Sequence, residues 1–153
     1  MDLAETMAAI RDAIKADQAV TAWCQQNYGR QHKVYVGIDE ENPPAEADYP
    51  LVAVIPAGHK WGLKSRLEEA RLIIVCGIVQ SAVDIAGNVI ELRGIQEIET
   101  FRRLVEERLL KAGLLMADSA AESHSGYFFP VFASETGITI ETRLSSRGPT
   151  AGQ

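Results

Sequence analysis

The chain has 153 residues, 46% of them hydrophobic and 24% charged, a globular composition that excludes a fibre, a coiled coil or a long disordered chain. That length suits one domain, whose folding buries about 69% of the unfolded surface. With 15 basic against 21 acidic residues, the formal net charge is -6, which repels phosphate backbones and argues against a sequence-independent nucleic-acid binder.

Leu3, Met7, Ile10 and Ile14 recur at helical spacing and predict an N-terminal helix with one apolar stripe. The phase breaks at Asp17, a good N-cap, so Val20, Trp23 and Cys24 belong to a second helix or to a kinked continuation, ended by Gly29. Trp23 reads as a core or interface anchor. Alternation over 33–38 predicts a half-buried strand. Asp39, Glu40, Glu41, Glu46 and Asp48, with Pro43 and Pro44 among them, predict a solvated acidic loop. Leu51 to Ile55 reads as a strand closed by Pro56, and Ala70 to Ile85 as one long central strand covered on both sides.

Gly87-Asn88 is a turn signal after which Val89 to Leu92 returns as a short strand. From Ile95 a helical face of Ile98, Phe101, Val105, Leu109 and Ala112 runs to Gly113, with Glu99/Arg103 and Glu107/Lys111 as outward pairs. Leu114 to Leu144 is strand-like again, aromatic at Tyr127 to Val131 and alternating from Ile138 onward. The expected fold is α+β: a mainly antiparallel sheet packed against an N-terminal helical segment and one long helix. Residues 1–144 form a single domain and 145–153 a flexible C-terminal tail.

Cys24 and Cys76 lie far apart in apolar surroundings without CxxC spacing, so they read as buried free thiols of a reduced compartment. Asp2 and Glu5 stand where a secretory leader carries positive charge, and no apolar run approaches a membrane span, so a soluble, intracellular protein is expected.

Motifs for chemistry are incomplete. Gly58-His59-Lys60-Trp61-Gly62-Leu63-Lys64-Ser65 resembles a phosphate loop, but Leu63 replaces the glycine that must precede the lysine, and no helix has room to follow. An exposed basic loop between strands is the better reading, with binding of a nucleotide through Lys64 and Ser65 as the enzyme-class alternative. Ser123-His124-Ser125-Gly126 reads as a polar loop rather than a nucleophile elbow, because Ala121 replaces its first glycine. His32, His59 and His124 share no ligand spacing. No catalytic residue, cofactor or metal site is assigned, and an enzyme is not expected. His59, Lys60, Lys64, Arg66 and Arg71 gather around Trp61, opposite in sign to the acidic loop. The two stretches either meet across copies in a ring or are simply solvated.

Two phrases carry a resemblance. The run Ala9-Ile10-Arg11-Asp12-Ala13-Ile14-Lys15-Ala16-Asp17-Gln18-Ala19-Val20, then a strand, an acidic loop and Tyr49-Pro50-Leu51-Val52-Ala53-Val54-Ile55-Pro56, resembles the opening of tailed-phage tail terminator or tail completion proteins. The order of elements over residues 7–144, with Phe129-Pro130-Val131-Phe132 entering the last strand, fits the same family. The resemblance implies a non-enzymatic virion subunit of a phage or prophage tail, assembled in the host cytoplasm. It would form a homo-oligomeric ring, typically hexameric, at the head-proximal end of the tail, where it ends tube growth and mediates head-tail joining. The implied partners are further copies, the tail tube protein and a head-completion or connector protein, with no membrane and no sequence-specific nucleic acid. A head-tail connector, a baseplate part or a secretion-tube component is the structural alternative. Candidate interface residues are Asp39, Glu40, Glu41, Lys60, Trp61, Lys64, Arg66, Tyr127 and Phe128.

Overall fold

The computed structural model describes residues 3–62, 67–115 and 121–143. Helix α1 (Leu3–Ala16) buries Met7, Ile10 and Ile14, the stripe its spacing predicts. Asp17 separates it from α2 (Gln18–Tyr28), and its carboxylate accepts the Val20 N–H at 2.9 Å, satisfying one of the open donors of the new helix. Gly29 ends α2 at φ 69°, a left-handed conformation that only glycine adopts without strain.

The main sheet has the order β1-β2-β3-β7-β6. It consists of β1 (Lys33–Val36), β2 (Leu51–Gly62), β3 (Leu67–Val79), β6 (Ala121–Phe128) and β7 (Val131–Arg143). Only β1 and β2 run parallel. A separate two-stranded ribbon, β4 (Val83–Ala86) with β5 (Val89–Leu92), turns at Gly87 and leads directly into helix α3 (Arg93–Lys111). The fold is thus α+β with a mainly antiparallel sheet, as expected.

Four boundaries differ from the sequence reading. Pro56 does not close β2, which continues to Gly62 through a bulge between Pro56 and Gly58. β1 has already ended opposite Val54, so β2 is an edge strand at this point and tolerates a residue without an N–H. Gly58 to Gly62, read as a basic loop, therefore belongs to a strand, while residues 63–66 lie outside the described residues. The expected strand from Ala70 to Ile85 is two strands, broken where the Gln80 side chain accepts the Ala82 N–H at 3.0 Å. Ser123 to Gly126 lies within β6 rather than in a loop, and the strand-like stretch Tyr127 to Val131 is strand at both ends but interrupted by the tight Phe129-Pro130 turn between β6 and β7. The tail 145–153 lies outside the described residues.

The helices cover one face of the sheet. Val52, Val54, Leu72, Ile74, Cys76, Ile78, Phe132 and Ile138 are buried there against α1, α2 and α3. From α3 come Ile98, Phe101, Val105 and Leu109, whereas Ala112, expected on the same stripe, is exposed. Trp23 lies face to face with Phe101, ring centroids 5.4 Å apart, which makes it a core anchor between α2 and α3. Among the described residues no helix packs on the opposite face, contrary to the expectation for β3: Ile73, Val75 and Val79 are only half-buried, although Leu51, Ala53 and Gly77 on that face are buried. Cys24 and Cys76 are buried and free, and burial pushes the Cys24 thiol up to about 12 and raises Cys76 as well. Both stay protonated and unreactive.

His32 is buried, its Nε2 2.9 Å from the Ile14 carbonyl and its Nδ1 without a partner. Burial lowers its pKa, opposed in part by the Ile14 bond and by the charge of Asp17. A neutral ring in the folded chain and an ordinary ring in the unfolded chain, titrating near about 6.5, make the unfolded state bind more protons below that pH. Stability is therefore full above about pH 6.5 and declines as the pH falls below it. In His32→Gln the amide keeps a donor for Ile14, so its melting temperature should fall less than wild type's between pH 7.5 and 5.5. Identical profiles would assign the acid sensitivity to other groups.

Candidate interaction surface

The β4–β5 ribbon is amphipathic. Its register pairs Val83 with Leu92 and Ile85 with Ile90, and pairs Asp84 with Glu91 and Ala86 with Val89. Directly opposed residues share a face, so Val83, Ile85, Ile90 and Leu92 line one side and the carboxylates the other. Only Leu92, at the base, packs on the core, while Ile85 and Ile90 are 71% and 70% exposed. Asp84 grips Arg93 with two bonds, 2.6 and 3.2 Å, and the Arg93 N–H donates to the Ala82 carbonyl at 3.2 Å. Gln80 donates to Glu97, which also accepts the Tyr28 hydroxyl at 2.7 Å. The ribbon is thus held firmly at its base and bare along its length.

The β6–β7 turn stands at the same end of the sheet, since the Gln80 N–H donates to the Pro130 carbonyl at 2.9 Å. Phe128 is 88% exposed and Tyr127 59%. Tyr127 and Phe129 flank the buried Phe132, with centroids at 5.2 and 6.4 Å. Phe132 in turn packs on Gly94 in the first turn of α3, where Ile95 is half exposed. Among the described residues, the end of the sheet therefore leaves large apolar side chains exposed.

Of the sequence-derived candidates, Tyr127 and Phe128 lie on this surface, on opposite faces of β6. Asp39 is engaged in a turn, accepting the Glu41 N–H at 3.0 Å and the Asn42 amide at 2.9 Å, while Glu40 and Glu41 are exposed beside it. Another acidic-loop residue, Asp48, is paired within the chain to Lys33 at 2.5 Å. Lys60 is exposed far along β2, opposite Glu69. Trp61 belongs to the same stretch of strand, opposite Glu68, whereas Lys64 and Arg66 lie outside the described residues. The sequence reading missed Phe129, Val83, Ile85, Val89, Ile90 and Ile95 as surface groups. Alternation within the ribbon was a visible signal, but nothing in it tells an exposed apolar face from a buried one.

The polar side chains of β6 do structural work. Ser123 and Ser125 point toward α3 while His124 points to the other face, so the Ser-His adjacency makes no dyad. Ser123 bonds Thr136 at 2.8 Å and Glu106 at 3.2 Å, and Ser125 bonds Glu99 and Ser134. Arg102 bridges Glu99 at 2.5 Å and Glu106 at 2.9 Å. Glu99 thus pairs with Arg102 rather than with the expected Arg103. The Arg102 guanidinium and then the Ser125 hydroxyl hold Glu99 below the ordinary carboxylate value. Among the described residues, no three His, Cys, Asp or Glu side chains converge in a metal-binding group.

No family model matches the chain, and no curated protein matches it at a significance that would establish a relationship. No helix among the described residues is long and apolar enough to cross a membrane.

Proposed function

We propose that the chain is a virion assembly subunit, a tail terminator or completion protein of a phage or prophage, that works by self-association rather than catalysis. The observation that carries this reading is the group of exposed apolar side chains toward one end of the sheet, Ile85 and Ile90 on the ribbon and Tyr127, Phe128 and Phe129 at the β6–β7 turn. Large apolar side chains left exposed in such number favour a protein contact. The order of elements, helices leading into β1, then β2 after Tyr49-Pro50, the long β3, helix α3 and the last strand after Phe129-Pro130, is the order that the resemblance implies. A ring at the head-proximal end of the tail places one such surface in each subunit against the next, with the tube and the head connector above and below.

Light scattering across a wide concentration range, followed by negative-stain imaging, tests the reading. Closed rings of a hexamer of the 16.7 kDa chain, about 100 kDa, are expected. A strict monomer that also fails to bind purified tail tubes would overturn it.

A further inference from the structure

The two edges of the main sheet are built differently. One edge is β1 and, past Val54, the free stretch of β2, and it carries the features that keep a strand from pairing with neighbours. β1 is only four residues long, Pro56 has no N–H to donate, a bulge follows it, and Lys60 adds an exposed charge. The other edge, β6, has none of these. Its eight residues include no proline and no lysine, every one of them is exposed, and its register with β7 runs without a shift from Ala121–Ile138 to Phe128–Val131. Among the described residues nothing pairs with its outer side, which therefore offers a regular row of N–H and C=O groups to a further strand. α3 packs over β3 and β7, inboard of β6, and leaves that row clear.

We infer that the strand taken up is β6 of a second copy, paired antiparallel about a two-fold axis at Ser123, so that two five-stranded sheets become one. Charge complementarity chooses both the occupant and the register. Antiparallel partners share a face, so a two-fold axis sets one residue of β6 opposite its own copy. On the face away from α3, β6 carries Glu122 and His124, 3.4 Å apart, with side chains 82% and 73% exposed. With the axis at Ser123, each Glu122 faces His124 of the other copy, and the contact is made twice. The imidazole donates an N–H to the carboxylate when neutral and adds a charge when protonated. An axis at His124 would oppose the two histidines, and an axis at Ser125 would set each Glu122 against Phe128. On the α3 side the Ser123 register brings Ala121 to Ser125 and Ser123 to Ser123, small side chains that permit the approach.

The pairing residues 121–125 are not among the apolar groups that carry the tail reading, so this contact goes beyond that reading and can fail without it.

Two lysine variants of the full chain test the register. Both add positive charge to a chain of net charge -6, so a general easing of repulsion would strengthen association in each. The pairing predicts opposite results. In sedimentation, Glu122→Lys should dissociate the pair about tenfold more readily, because it turns two attractive cross-strand contacts into repulsive ones. His124→Lys keeps a cation opposite Glu122 and should associate at least as well as wild type. With the buried native thiols left in place, Ser123→Cys should give a covalent dimer on mild oxidation, since residues opposed across the axis have Cβ atoms about 5 Å apart. Ser125→Cys, about 13 Å from its copy in this register, should not. If both lysine variants shift association the same way, or the two cysteine variants oxidise alike, the β6 pairing is overturned. Rings that form in wild type without a Ser123→Cys dimer overturn the pairing and leave the tail reading standing, while a Ser123→Cys dimer from a chain that builds no rings and binds no tail tubes does the reverse.

Discussion

Phe101→Ala is expected to lower stability by about 3–5 kcal/mol. The ring is completely buried at the centre of α3, stacked on Trp23 and enclosed by the helices and the covered face of the sheet. Removing it leaves a cavity whose walls belong to three different elements, so partial collapse from any one of them does not fill the space. Against a domain stability of about 5–15 kcal/mol, urea denaturation should show a midpoint lower by roughly 2 M with little change in slope. A loss below about 1.5 kcal/mol, well under the usual range for this truncation, would mean that Trp23 swings into the vacancy.

Gly94→Ala should cost about 3 kcal/mol, even though alanine is the better helix former by about 1 kcal/mol. A Cβ on residue 94 would stand 2.2 Å from two carbons of the Phe132 ring. That ring cannot easily move, since Tyr127 and Phe129 flank it and it is 1% exposed. Close approach of α3 to the sheet, rather than any turn, is what demands glycine here. Adding Phe132→Leu should cut the cost of the alanine by more than half in a double-mutant cycle. Equal costs in both backgrounds would show that the crowding lies elsewhere.

The helices were legible because their signals are local. Asp17 and Gly29 carry capping geometry in their own side chain and backbone, and the stripe of Met7, Ile10 and Ile14 needs only the helical period. Strand extents were less so. Whether Pro56 ends β2 depends on where β1 stops alongside it, and whether 70–85 is one strand depends on a bond from Gln80 to Ala82. Both are facts about neighbours. The surface was the least legible. Val83, Ile85 and Ile90 alternate as a half-buried strand would, because composition records that a side chain is apolar but not whether anything lies over it. The partial exposure of one side of β3 escaped notice for the same reason, since Ile73 and Val75 look no different in sequence from Leu72 and Ile74.

The position of β7 has a consequence for how the chain reaches this state. It pairs with β3 along its whole length and separates β3 from β6, although more than fifty residues lie between them in sequence. During synthesis, β2 and β3 emerge early and can pair locally, but β3 then shows the ribosome-bound chain an open edge with Leu72, Ile74 and Ile78 on one face. That edge stays unpaired until residues 131–143 appear, and it is a template for strands of other nascent chains in the meantime. A truncation before β7 should therefore yield insoluble aggregate rather than a smaller soluble domain, because the last strand to be made is the one that closes the middle of the sheet.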